Sequence, residues 1–100
     1  MKLENKEFGF DSFAREMGRL KEEKHFDYLV TIVGEDFGPE EGLGCIYILE
    51  NTQTHERTSV KQLAKQVGEE YVVPSVIRLW ADADLLEREV FDFLGIKFLG

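Results

Sequence analysis

The chain has 100 residues, 43% of them hydrophobic and 12% aromatic, which suits one domain with one core that buries roughly 65% of the unfolded surface. Twelve Lys and Arg against twenty Asp and Glu give a net charge of -8, a field that repels phosphate backbones and anionic headgroups and so argues against nucleic acid as a partner. The one cysteine, Cys45, has no second cysteine to pair with, and with His25 and His55 thirty residues apart it supplies no ligand set for zinc or an iron–sulfur cluster. No cofactor is expected in this chain, and a cytosolic setting is the expectation. Met1 to Glu7 is polar and charged and no run approaches the ~18 apolar residues of a membrane helix, so any membrane association is expected to pass through a partner.

From Phe10 to Lys24, the apolar residues Phe10, Phe13, Ala14, Met17 and Leu20 fall at helical spacing, with Asp11 or Ser12 as N-cap. Phe26 to Val33 is rich in β-branched and aromatic residues and reads as a strand, with Phe26, Tyr28, Val30 and Ile32 on one face and Leu29, Thr31 and Val33 on the other. Cys45 to Glu50 has the same character. The stretch Gly34–Gly44 between them, with four glycines and Pro39, is expected to be a hairpin loop that leaves the two strands antiparallel.

Residues 59–68 carry conflicting signals. Ser59 as N-cap, the apolar positions Val60, Leu63, Ala64 and Val67, and Gly68 as stop describe a helix. A strand from about Glu56 would instead extend a marginal two-stranded sheet, and tertiary context overrides propensity often enough to keep both open. Tyr71-Val72-Val73-Pro74 is extended, because a residue before proline avoids the α region, and Ser75 then caps a short helical turn through Trp80. Asp84-Leu85-Leu86-Glu87 has the pattern of a capping box. The helix it opens carries the stripe Leu86, Val90, Phe93 and Leu94 and stops at Gly95, after which residues 97–100 form an extended tail.

Few of these residues point to chemistry. Gly34, Gly38, Gly42 and Gly44 lack the following helix and lysine of a phosphate loop, and Glu35, Asp36, Glu40 and Glu41 oppose an anion. Glu87, Arg88, Glu89 and Asp92 form the densest charge group, with Arg88 and Asp92 one helical turn apart and placed to pair. Two carboxylates become an acid and a base only where burial separates their pKa values, and a helix with Arg88 in its middle gives no such sign. Cys45 reads as a small core residue on a strand. Both faces of the sheet are partly apolar, through Leu29 and Val33 and through Ile46 and Ile48 opposite Tyr47 and Leu49. The second face is either covered by loops and the N-terminal segment or left as a docking surface.

The C-terminal third is more specific. Val73-Pro74-Ser75-Val76, Trp80, Ala83-Asp84 and the run from Glu87 to Ile96 resemble the C subunit of respiratory complex I, the proton-pumping NADH:quinone oxidoreductase. In that family a "VPS" turn leads to a helix bearing "EREVYD" and ending "FGI", and Phe26 to Val30 resembles its first strand. The resemblance covers about residues 26–100. It implies a cofactor-free subunit of the arm on the cytoplasmic side of the membrane, docked onto a large quinone-site and iron–sulfur subunit, with NAD, FMN, iron–sulfur clusters and quinone all held by partners. Energy-converting membrane hydrogenases and formate hydrogenlyase contain similar subunits. The implied fold is α+β, a two-layer sandwich of a mixed sheet of three or more strands with an N-terminal and a C-terminal helix, and residues 56–66 in a strand.

Carried over by position, Glu87, Arg88, Glu89, Phe91 and Asp92 are the motif residues that hold the helix and its partner surface. Pro74, Ser75 and Gly95 set backbone turns, and Trp80 belongs to the same motif. Leu85 and Leu86 stand where the family often has an aromatic residue, and so does Leu94, which bears on the type of parent complex. The family continues past this point with a His-Pro and a basic segment, so residues 1–100 are expected to be a single domain that is either part of a longer or fused protein or docks in an abbreviated way. Two readings of other classes compete: a hydrolase using the carboxylate cluster, and a free-standing module that binds a peptide at the sheet edge.

Overall fold

The computed structural model describes residues 5–100, residue 5 by its backbone alone. Its first sheet is mixed and four-stranded, in the order β1 (Asn5–Glu7), β4 (Arg57–Leu63), β3 (Leu43–Glu50), β2 (Tyr28–Asp36), with β1 parallel to β4 and the other pairs antiparallel. Helix α1 (Phe13–Glu22), entered through a 3-10 turn at Phe10–Ser12, leads into it. The second sheet is β5 (Lys65–Val67), β6 (Glu70–Pro74) and β7 (Ile96–Leu99), with β6 and β7 parallel and joined through α2 (Ala83–Leu94). The result is the expected α+β sandwich, with two helices against mixed sheets.

Both helices pack on the same face of the first sheet. Phe13 of α1 meets Tyr47 of β3 with ring centroids 5.3 Å apart, a tilted arrangement that suits the ring quadrupoles. Val90 and Leu94 of α2 lie over Gly34 of β2, so close that a Cβ there would stand 2.9 Å from a methyl of each. Gly34 is therefore not a loop residue. It belongs to a strand that runs to Asp36, and its bare backbone lets the helix approach. Phe13, Met17, Ile32, Tyr47, Leu49 and Val60 are the centre of the continuous core that results.

The conflict over residues 57–63 resolves as a strand: Val60 faces Tyr47 in β3 and is fully buried, a burial that the local helix signal could not supply alone. Strict alternation in β2 fails, because a register irregularity between Leu29 and Thr31 brings Leu29 and Ile32, three apart, to the same core face and leaves Tyr28 exposed. Residues 76–80 form a hydrogen-bonded turn rather than a turn of helix, and Ala14 points outward. The tail expected at 97–100 is strand β7, paired in register with β6 from Tyr71↔Ile96 to Pro74↔Leu99.

Replacing Gly34 with valine forces two branched methyls into the α2 contact. It is expected to cost about 1–3 kcal/mol in urea unfolding, and Gly34→Ala less; an unchanged midpoint for Gly34→Val would show that α2 does not press on β2.

Candidate functional site

Helix α2 and the 74–77 turn bring most of the motif residues together. The expected capping box does not form: the helix starts at Ala83 with Asp82 in the N-cap position and no side-chain cap bond. Glu87 instead turns inward, 6% exposed, and accepts hydrogen bonds from Ser75 Oγ (2.8 Å) and from the backbone N–H of Val76 (2.9 Å). Ser75 is a junction, since its Oγ also accepts from the Ile77 N–H at 3.1 Å and its own N–H donates to the Leu99 carbonyl at 2.7 Å. One carboxylate thus ties α2 to the end of β6, and the same serine ties that end to β7.

Burial is the largest influence on Glu87 and raises its pKa; the bonds from Val76 and Ser75 oppose this, and the charge of Asp84 adds to it. Burial likewise pushes the Cys45 thiol up to about 12, which keeps it protonated and makes it a core residue rather than a nucleophile. Tyr47 is shifted upward for the same reason. Its hydroxyl and Gln62 Oε1 are buried without a hydrogen-bond partner among the described residues.

The remaining motif residues divide by direction. Trp80 is buried, 5% exposed, and its Nε1–H donates to the Phe26 carbonyl at 3.2 Å, so it fastens the approach to β2 and faces no partner. Gly95 ends α2 with φ at 77°, a left-handed stop that directs the chain into β7. Arg88, Glu89 and Asp92 are exposed, and among the described residues no ion pair joins Arg88 to Asp92.

Phe93 departs from the expected core stripe. The buried sector of α2 is centred on Ala83, Glu87 and Val90, and at 100° per residue Phe93 lies about a quarter turn away. It is 80% exposed, with Leu85 at 64%. Beside it, an open cleft of about 520 Å³ between the turn, α2 and β7 is lined by Ile77, Arg88, Phe91, Lys97, Phe98 and Leu99 among others. The sequence motif located this region, but it could not separate the residue that locks the helix from those that face outward.

Among the described residues no group of three or more His, Cys, Asp and Glu is placed to hold a metal ion, and no helix is long and apolar enough to cross a membrane. The carboxylates of the motif do not converge: Glu87 is bonded into the turn while Glu89 is exposed.

The chain matches the family described as "Respiratory-chain NADH dehydrogenase, 30 Kd subunit" over residues 10–100. It is 41% identical over 90 residues to the C/D subunit of the NADH-quinone oxidoreductase of Phocaeicola vulgatus, covering 90% of this chain and 17% of that protein. The C subunit of the Moorella thermoacetica enzyme is 34% identical over 91 residues, 90% of this chain and 60% of its own length. A trypsin-resistant fragment of Nqo5 superposes with a TM-score of 0.83 at 30% identity, over 94% of this chain and 76% of the fragment. The chain thus spans less than a fifth of the C/D relatives it matches.

Because burial raises the Glu87 pKa, the native state keeps a proton that the unfolded chain releases as pH passes about 4.3. Its contribution to stability therefore falls as pH rises from there through the raised folded value and is constant beyond it. Glu87→Gln is expected to lack this decline and to gain on the wild type between pH 4 and 7. Glu87→Ala, which leaves the buried Val76 N–H without an acceptor, is expected to lose about 1–3 kcal/mol at every pH. Chemical denaturation across that range checks both, and parallel curves for wild type and Glu87→Gln would refute the assignment.

Proposed function

The chain belongs to the respiratory-chain NADH dehydrogenase 30 kDa subunit family, and we propose that it serves as a non-catalytic peripheral-arm subunit of an NADH:quinone oxidoreductase, docking through the outer face of α2. The observation that carries this reading is Phe93, 80% exposed on a helix that Glu87 locks from behind. Large apolar side chains grouped on a monomer surface mark a contact, and here Leu85 and Phe93 share that face with the charges of Arg88, Glu89 and Asp92. Aromatic and arginine side chains are the types that dominate binding energy at interfaces.

The partner proposed is the large quinone-site and iron–sulfur subunit, which in the C/D relatives, by their name, shares a polypeptide with the C subunit. NAD, FMN, the clusters and quinone belong in this reading to partner subunits, and the site of action is the cytoplasmic side of the membrane. The relatives from Phocaeicola vulgatus and Moorella thermoacetica are components of NADH-quinone oxidoreductases, which favours this parent over the equivalent subunit of a membrane-bound hydrogenase or formate hydrogenlyase. The free-standing regulatory module has no observation of its own in support.

Tagged protein used as bait in detergent-solubilised host membranes is expected to recover an iron–sulfur or quinone-site subunit. Phe93→Asp and Arg88→Ala should each reduce that recovery at least tenfold, in keeping with losses of roughly 2 kcal/mol or more at interface anchors, while leaving the unfolding midpoint of the isolated domain unchanged. Undiminished recovery with both variants would place the contact elsewhere, and recovery of nothing membrane-bound would remove the subunit reading.

A further inference from the structure

The other face of the first sheet carries no helix. Register fixes its rows across β2, β3 and β4: Val33 beside Ile46 beside Lys61, Thr31 beside Ile48 beside Ser59, and Tyr28 beside Glu50 beside Arg57. Alternation sends these side chains away from the core face that holds Ile32, Tyr47 and Val60. Val33 is 42% and Tyr28 44% exposed, and Ile46 and Ile48 are half-buried. Phe37 extends this apolar floor: its ring reaches the space that a Cβ on Gly44 would occupy, with Lys61 Nζ 4.3 Å from the ring centroid.

The charges at the rim determine what this floor suits. Lys61 pairs with Glu41 at 2.9 Å, and Glu7 and Glu35 also act on it electrostatically, so three carboxylates surround one ammonium. At the opposite end Arg57 and Glu50 neutralise one another at 2.7 Å. The apolar strip is therefore flanked at the Lys61 end by a net negative group. A second copy of this chain would bring the same negative rim and be repelled, and an anionic lipid surface would be repelled likewise.

We propose that this open face is a second docking surface, distinct from α2, and that its occupant is a basic amphipathic polypeptide segment that lays large apolar side chains along Val33, Ile46 and Ile48 and sets Lys or Arg against Glu7, Glu35 and Glu41. The apolar floor supplies burial and the rim fixes orientation and excludes acidic competitors. Placing contacts on two sides makes the domain a bridge between two polypeptide surfaces.

The test uses the full-length protein in its host, with p-benzoylphenylalanine in place of Val33 or Ile46, in place of exposed Thr54 as background, and in place of Phe93 as a separate report on α2. After irradiation of the isolated complex, the adducts at positions 33 and 46 are digested and sequenced. The expected adduct is a segment of net positive charge containing at least one large apolar residue, formed above the level seen at Thr54 and weakened severalfold by Glu35→Lys with Glu41→Lys. An acidic segment, a second copy of this chain, a lipid, or no adduct above background would each overturn the proposal. Loss of the Phe93 adduct alone would bear only on the helix contact.

Discussion

The carboxylate of Glu87 holds the C-terminal half of the molecule in place. It is the one acidic side chain of the motif withdrawn from water, and it satisfies Ser75 Oγ and the Val76 N–H at the point where β6 ends and the chain turns towards α2. Two donors on a single acceptor group fix both distance and angle, which a helix resting on apolar contacts alone does not achieve. Withdrawn there, Glu87 leaves Arg88, Glu89 and Asp92 to point outward simply because they follow it around a helical turn. Parallel pairing of β6 with β7 depends on the same arrangement, since the Ser75 N–H closes onto the Leu99 carbonyl.

Much of this fold could be read from residue pattern, and the failures have physical causes. Strands around Val30 and Tyr47 and the helices around Met17 and Val90 follow from local periodicity, which burial reinforces. Residues 57–63 were ambiguous because Ser59, Val60 and Leu63 satisfy a helical template; the strand wins through the burial of Val60 against Tyr47, a contact between distant parts of the chain. Strict alternation misassigned the faces of β2, since one irregularity after Leu29 is invisible in composition.

The site was legible at the level of motif and not of role. Glu87 looks in sequence like the reciprocal partner of Asp84 in a capping box, and nothing local shows that a serine twelve residues earlier lies within 2.8 Å. Phe93 looks like a core residue, because a stripe drawn from Leu86 includes it, whereas the buried sector is set by Gly34 and the helix that presses on it. In both cases the missing information was the position of another element. By contrast Gly95, whose role depends on its own backbone angle, was read correctly from its place after Leu94.

Helix α2 is fixed at three points along its length: at Glu87 to the turn, at Val90 and Leu94 against the bare backbone of Gly34, and at Gly95 into β7. Mechanically it is a strut rather than a lever, unable to swing without breaking a strand pairing or a buried hydrogen bond. A surface of that kind is ordered once, during folding, and association with it carries no further cost for arranging the helix. Load applied to its outer face passes directly into both sheets, so neighbours gripping this domain would be held at a constant separation.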